Sequence, residues 1–177
     1  TVGQDGYTAY IDALNLLSNS DEFDFNLILI PGIFDSIHTS IVTKAIDVAE
    51  ARGDCFVLYD SVPHDTALNT VKTRVETRNS NYAASYWPWV KMPDPQLGVN
   101  KWVPASVAVA GVYAFNDKVA HPWFAPAGLN RGTLDTAVMV ERKLTHKNRD
   151  TLYASNVNPI ASFPGQGICV WGQKTTQ

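Results

Sequence analysis

The chain has 177 residues, of which 45% are apolar and 18% charged, so it is long enough for one domain with its own core and too apolar to be intrinsically disordered. Its net charge of −3 argues against sequence-independent nucleic-acid binding, which needs a concentrated cationic surface. No run approaches the roughly 20 apolar residues that a membrane span requires, so direct membrane insertion is not expected.

Helical and strand patterns alternate from residue 7 to about residue 91, which is typical of βαβ units and a largely parallel sheet. Residues 7–18 predict a first helix. Residues 25–30 predict a strand that is buried on both faces and closed by Pro31-Gly32. The second helix ends at Gly53, and its apolar positions recur at spacings of three and four: Ile37, Ile41, Ala45, Val48 and Ala49.

A second buried strand is predicted over residues 55–59, and a third, rich in aromatic residues, over 82–90, before a turn at 93–95. The helix between them has Asp65 or Thr66 as its candidate cap. Its apolar positions are Leu68, Val71 and Val75. We interpret its cations, which alternate with Glu76, as a solvated helix face: Lys72, Arg74 and Arg78.

Beyond residue 100 the pattern changes. A helix is predicted from Pro104 to Asn116-Asp117, a second and polar one over 142–154, and short strands over 157–163 and 167–172. Residues 121–132 have no period, and we expect an ordered loop because exposing Trp123 and Phe124 to water would be costly. We also expect Trp89, Trp102 and Trp123 to fill the junction between sheet and loop. The predicted fold class is α/β: a three-layer arrangement with a small, largely parallel sheet flanked by helices, plus a C-terminal helix and short strands.

Residues that could carry chemistry are sparse. Asp60-Ser61, after the second strand, could hold magnesium or act as a base, although an Asp there more often caps a turn. Three carboxylates could form a pair only if the fold brings them together: Asp135, Glu141 and Asp150. Cys55 and Cys169 are predicted to be buried free thiols.

Neither the histidines nor the patterns of nucleotide-binding loops indicate a catalytic or binding site. The four histidines lack the spacing of metal ligands, and a loop histidine such as His121 is more often hydrogen-bonded to backbone than catalytic. No glycine-rich phosphate loop follows a strand. We therefore predict no catalytic, metal or cofactor site, and the alternative of a flavodoxin-like enzyme rests on fold analogy alone.

Three blocks of the sequence resemble a known family. They are 86–91 (Tyr-Trp-Pro-Trp-Val-Lys), 103–117, which begins Val-Pro-Ala-Ser, and 122–132 (Pro-Trp-Phe-Ala-Pro-Ala-Gly-Leu-Asn-Arg-Gly). With the closing segments 156–160, 163–167 and 170–175, they resemble the core of contractile phage tail sheath proteins. Those of T4-like and other large myoviruses are the nearest in pattern. Pyocin-type and type VI secretion sheaths are similar at a greater distance.

The resemblance implies a structural subunit and no enzyme. Such subunits form hexameric rings stacked in a helix around the tail tube, attach to a baseplate, and contract to drive the tube through the host envelope. They are assembled in the bacterial cytoplasm and remain in the virion. Residues 1–177 would be one core domain without its N- and C-terminal arms, and alone it is expected to be monomeric or weakly associating.

The candidate residues for subunit contacts or for ordering the loop are His121, Trp123, Asn130 and Arg131. Two alternatives remain open for Arg131: an ion pair with a carboxylate of the same subunit, or a contact between subunits.

Overall fold

The computed structural model describes residues 5–177 as a mixed α/β fold. The helices are α1 (Asp5–Leu17), α2 (Thr39–Arg52), α3 (Leu68–Val75), α4 (Ala105–Val119) and α5 (His146–Ala154). The strands are β1 (Leu27–Phe34), β2 (Phe56–Asp60), β3 (Ala83–Trp87), β4 (Val90–Asp94), β5 (Val99–Val103), β6 (Met139–Val140), β7 (Val157–Phe163) and β8 (Gly167–Val170). Within this part of the chain, no helix is both long and apolar enough to cross a membrane.

The main sheet has the strand order β1-β2-β3-β7-β8. The first four strands run parallel, and β8 returns antiparallel to β7. Helices cover both faces of the sheet. Side chains alternate between the two faces along each strand, so Val57 and Tyr59 pack with α2 on one face, whereas Leu58 packs with α4 on the other. The third cluster, around Trp87, joins α3 and α5 to β3 and β7. The predicted three-layer α/β class is confirmed.

The first strand is longer than predicted. Pro31-Gly32 does not close β1, which continues to Phe34 with an irregular register against β2 after Leu29. Gly32 has a φ of 86°, a conformation that costs glycine little, and Pro31 lies at an edge strand where no N–H is needed. The extension matters because it carries Asp35 to the same end of the sheet as Asp60.

The predicted strand 82–90 is two strands. β3 ends at Trp87, followed by a cis Trp87–Pro88 bond, and β4 runs from Val90 through Pro93. β4 pairs with β5 and β6 in a small antiparallel sheet that the sequence pattern did not predict. The alternation of polar and apolar residues in β5 is short, so the sequence pattern of residues 99–103 does not clearly predict a strand.

Helix ends show three further differences. Ala67 occupies the N-cap of α3 without a side-chain cap, so neither Asp65 nor Thr66 caps it. α2 begins at Thr39, which leaves Ile37 outside it and 62% exposed. α4 does not end at Asn116 but continues to Val119, and Asn116 is buried within it. Gly53, by contrast, ends α2 in the left-handed conformation as predicted.

Residues 174–176 hydrogen-bond to the main sheet near the N-terminal ends of β3 and β7. Lys174 exchanges backbone hydrogen bonds with the buried Asn158 side chain, at 2.6 and 2.7 Å. Thr176 donates from its backbone N–H to Ala83 and bonds Ser80 through its hydroxyl. The chain is therefore held to β3 and β7 almost to its last described residue.

Candidate functional site

The carboxyl ends of the parallel strands, where α/β folds place ligands, hold an ion cluster. Asp35, which follows β1, is fully buried and accepts hydrogen bonds from two guanidinium groups. Arg74 Nε lies 2.7 Å from its Oδ2 and Arg74 Nη2 3.0 Å from its Oδ1, and Arg78 binds both oxygens. The carboxylate is saturated by donors of the same chain, so this edge is not a vacant ligand site.

The prediction of a solvated helix face is therefore wrong for Arg74 and Arg78. Arg74 also donates to Thr39 Oγ1, and Arg78 to Thr43 Oγ1, both at 2.8 Å, which ties α2 to the end of α3. Lys72 alone keeps the predicted exposed role, in a 3.7 Å pair with Glu76. The spacing of four between the two arginines, opposite an Asp directly after a strand, was the available signal.

Asp60, the last residue of β2, caps a distant helix. Its Oδ1 accepts the backbone N–H of Ser106 at 3.1 Å and its Oδ2 accepts the Ser106 hydroxyl at 2.7 Å, at the first turn of α4. Burial raises the pKa of Asp60 to about 6, although both hydrogen bonds act to lower it. The negative charge lies at the positive end of the α4 dipole. A capping role accounts for Asp60 better than the magnesium ligand or base considered from the sequence.

Asp60 predicts a pH dependence of stability. Between pH about 4 and 6 the folded protein keeps a proton that the unfolded chain releases, so this group's stabilisation is present below pH about 4 and lost as pH rises through about 6. The unfolding free energy of wild type minus that of Asp60→Asn should fall by up to about 3 kcal/mol from pH 4 to 7. Urea denaturation of both proteins at each pH measures this difference, and Asp135→Asn, at an exposed position, is the control. A difference in unfolding free energy that stays constant between pH 4 and 7 would contradict the raised pKa of Asp60.

The fold does not combine the remaining polar candidates into a catalytic site. Glu141 accepts backbone N–H groups of Asp65 and Trp89, whereas Asp150 pairs with His146 on the exposed side of α5. Within residues 5–177, no three His, Cys, Asp or Glu side chains are grouped so that they could hold a metal ion. Cys55 and Cys169 are buried free thiols, as predicted.

The loop 121–132 is irregular, as predicted, and its aromatic residues form an exposed stack. The His121 and Trp123 rings lie 4.5 Å apart and nearly parallel, and Phe124 lies 6.1 Å from His121. Trp123 is 78% exposed and Phe124 40% exposed, so burial is not what orders this loop. The expectation that Trp123 fills the junction between sheet and loop is wrong, whereas Trp89 and Trp102 both pack on His64 in that region.

Backbone and amide hydrogen bonds hold the loop in place. The Asn116 side chain donates to the carbonyls of His121 and Phe124, which fastens the loop to the end of α4. At its far end, Gly128 N–H donates to Val170 O at 2.8 Å and Val170 N–H to Gly132 O at 2.7 Å. The exposed aromatic stack therefore stands on a fixed support. Asn116, predicted only as a helix end, supplies much of it.

Of the two alternatives for Arg131, the ion pair within the same subunit is not formed in residues 6–177, and the contact between subunits stays a prediction. Its Nε donates to the Ala125 carbonyl at 3.3 Å, and its guanidinium lies 4.8 Å from the centre of the Phe124 ring. No carboxylate of residues 6–177 forms an ion pair with it. Arg131 thus orders the loop, while Asn130 beside it is exposed and His121 supports Trp123 by stacking.

Comparisons with known proteins agree with this arrangement. A profile described as "Phage tail sheath protein central domain" matches residues 1–176. The tail sheath protein of Vibrio phage KVP40 is 28% identical over 196 residues, covering 96% of this chain and 29% of that protein. The tail sheath protein of Enterobacteria phage T4 is 28% identical over 155 residues, covering 77% and 23%. The chain spans less than a third of either relative.

Solved structures are similar over nearly the whole chain. The contracted helical sheath of the anti-feeding prophage matches with a TM-score of 0.69 and 25% identity over 98% of this chain and 44% of that chain. A sheath tail protein from Desulfitobacterium hafniense matches with a TM-score of 0.56 and 19% identity over 96% of this chain and 35% of that chain, which supports the fold alone. With the profile match over 176 residues, these similarities show that the chain belongs to the phage tail sheath protein central domain family, a structural family and not an enzyme family.

Proposed function

We propose that this chain is the central domain of a contractile tail sheath subunit. The subunit polymerises around the tail tube of a virion and contracts to drive the tube through the host envelope for genome delivery. The family match over residues 1–176 carries the proposal, and the similarity to a contracted helical sheath supports it. In this function a bistable assembly takes the place of an active site.

The partners follow from the same proposal. Residues 1–177 act as one core domain of a longer subunit, which forms hexameric rings stacked in a helix and contacts the tail tube protein and the baseplate. The similarity to a chain of the anti-feeding prophage baseplate, with a TM-score of 0.70 and 25% identity, supports a place next to a baseplate. On its own the core domain is monomeric or weakly associating.

A related contractile injection system is the second candidate. The two solved relatives from the anti-feeding prophage favour it, because both match 98% of this chain. Pyocin-type and type VI secretion sheaths belong to the same class. Purified particles distinguish the candidates: DNA-filled heads on the tails support the phage, and headless tails support the injection system.

Negative-stain electron microscopy of the full-length subunit tests the proposal. Hollow, striated tubes are the expected product of expression, alone or with the tube protein. Only small dispersed particles under both conditions would contradict it. The chain of residues 1–177 is the matched control, since it should remain dispersed where the full-length subunit assembles.

The exposed stack on the loop 121–132 is the surface that we assign to subunit contacts. Aromatic and arginine side chains are enriched at interface centres because they bury much area at low entropic cost. Trp123 offers the largest such area here, on a support held by Asn116 and Gly132. His121 and Arg131 keep the two aromatic rings in place, and Asn130 lies at the exposed rim.

Replacing Trp123 by Ala in the full-length subunit is expected to raise the concentration needed for tube assembly at least about tenfold, because a buried interface Trp often contributes about 2 kcal/mol or more. Sedimentation of tubes across a concentration series measures this change. Leu97→Ala, at another exposed apolar side chain on the β4–β5 turn, is the control. Equal assembly by both variants would contradict the assignment of this loop.

A further inference from the structure

A second surface feature lies between the start of α3 and the segment that leads into α5. It is a cavity of about 610 Å³, whose lining residues are Ala67, Leu68, Asn69, Trp87, Arg142, Lys143, Leu144 and Asn148. The loop 121–132 does not contribute to it. Its lining contains cationic, amide and apolar side chains and no carboxylate.

Trp87 and the start of α3 both line this cavity. Trp87 is only 1% exposed, and its indole N–H finds no acceptor within residues 5–177. A buried donor without a partner is costly and calls for an explanation. The cavity also receives the N-terminus of α3, which has neither a side-chain cap nor an acidic residue in its first turn.

The two cations of the lining add positive charge. Arg142 and Lys143 are both exposed, and Arg142 has only a long 3.7 Å contact with the exposed Asp65. Lys143 has no ion pair within the described residues. A helix N-terminus without a side-chain cap and two exposed cations make a site for a carboxylate, with the buried Trp87 ring beneath it.

The charge of the chain is divided unevenly along its length. Residues 1–50 contain eight acidic side chains against Lys44 alone, a net charge of −7. Residues 51–177 contain nine acidic and thirteen basic side chains, a net charge of +4. Asp35 is buried against Arg74 and Arg78, and without these three residues the two parts still carry −6 and +2, which is the charge complementarity that a contact between copies needs.

The loop between α1 and β1 is an exposed acidic segment. Asp21, Glu22 and Asp24 are all exposed and have no ion pair within residues 5–177. β1 is an edge strand of the main sheet, whereas Trp87 and the cavity lie on β3, two strands away. Two different patches that join in this way make a heterologous contact, which generates rings or helices.

We propose that the cavity between α3 and α5 binds the acidic loop, residues 21–24, of a neighbouring copy of this chain, with a carboxylate facing Lys143 and the start of α3. The inference rests on the proposed function, because a helical sheath brings many copies together. It adds to that function a specific pair of complementary surfaces. The contact is ionic in part, so high salt weakens it.

Charge reversal in the full-length subunit tests the proposal. Lys143→Glu and Glu22→Lys should each raise the concentration needed for tube assembly about tenfold or more, and the double variant should restore most of the loss. Lys118→Glu, an equal charge change on the exposed end of α4, is the matched control and should assemble like wild type. Single variants that assemble like wild type, or a double variant no better than either single one, would overturn the pairing.

Cysteine pairing tests the same contact without relying on charge. The native thiols Cys55 and Cys169 are buried, so the variant carrying Glu22→Cys and Lys143→Cys adds the only intended reactive pair. Mild oxidation of assembled tubes should give a ladder of covalent multimers, whereas Glu22→Cys with Lys118→Cys should not. Tubes from wild type without a ladder would overturn this inference and leave the sheath function standing. The absence of tubes from wild type itself would instead overturn the proposed function.

Discussion

Replacing Asp35 by Asn is expected to lower the unfolding free energy by about 3–5 kcal/mol, because it leaves two partly buried guanidinium groups without their counter-charge. Asp35 is fully buried, and the Arg74 and Arg78 side chains are only 23% and 13% exposed. Little water can replace the lost carboxylate. The same change should loosen α2 from α3, since both arginines also bind threonine hydroxyls on α2.

Urea denaturation of the 177-residue chain, followed by tryptophan fluorescence, measures this loss. Glu76→Gln is the control, since it removes one carboxylate from an exposed pair on the same part of the chain and should change the unfolding free energy by under about 1 kcal/mol. If both variants were equally stable, Asp35 could not be the centre of a buried ion cluster.

Replacing Trp87 by Ala is expected to cost about 3–5 kcal/mol of unfolding free energy, as for other fully buried aromatic side chains. Trp87 is 1% exposed and packs among Val62, Val71, Leu152 and Val157. Its loss would leave a cavity beneath both α3 and α5. Both helices should then show faster amide hydrogen exchange than α4, which packs on the other face of the sheet.

The control for this prediction is the identical substitution at an exposed position. Trp123→Ala removes the same side chain from a site that is 78% exposed, and should change the unfolding free energy of the isolated chain by at most about 0.5 kcal/mol. Thermal and urea denaturation of the two variants side by side measures the contrast. Equal losses would mean that Trp123 is buried in solution or that Trp87 is not.

The stability of the core suits a subunit that moves as a unit. Both faces of the main sheet are covered, and the end of β1 is joined to α2 and α3 through Asp35. Close-packed cores transmit displacement with little internal change. In the proposed sheath function, such a core lets the domain move as a rigid unit against its neighbours, and we infer that the conformational change occurs at surfaces such as the loop 121–132.

The sequence determined the class of the fold and the identity of the family. Local periodicity predicted α1, α2 and β2, because each has a clear apolar stripe or a short buried run. Gly53 marked the end of α2, since a left-handed residue there favours glycine. The aromatic and proline-rich blocks between residues 86 and 132 indicated the family before any coordinate was known.

Only the tertiary structure decided which residues meet. Asp35 is separated from Arg74 and Arg78 by about forty residues, and Asp60 from Ser106 by a similar distance, so no local pattern could pair them. From the sequence alone, an arginine on a polar helix is expected to be solvated, because the carboxylate that pairs with it lies far away in the chain. Trp123 was predicted to be buried because large apolar side chains usually are, yet its loop is held by backbone hydrogen bonds that leave the ring outside. Burial depends on how distant segments pack, and a single sequence carries that information only indirectly.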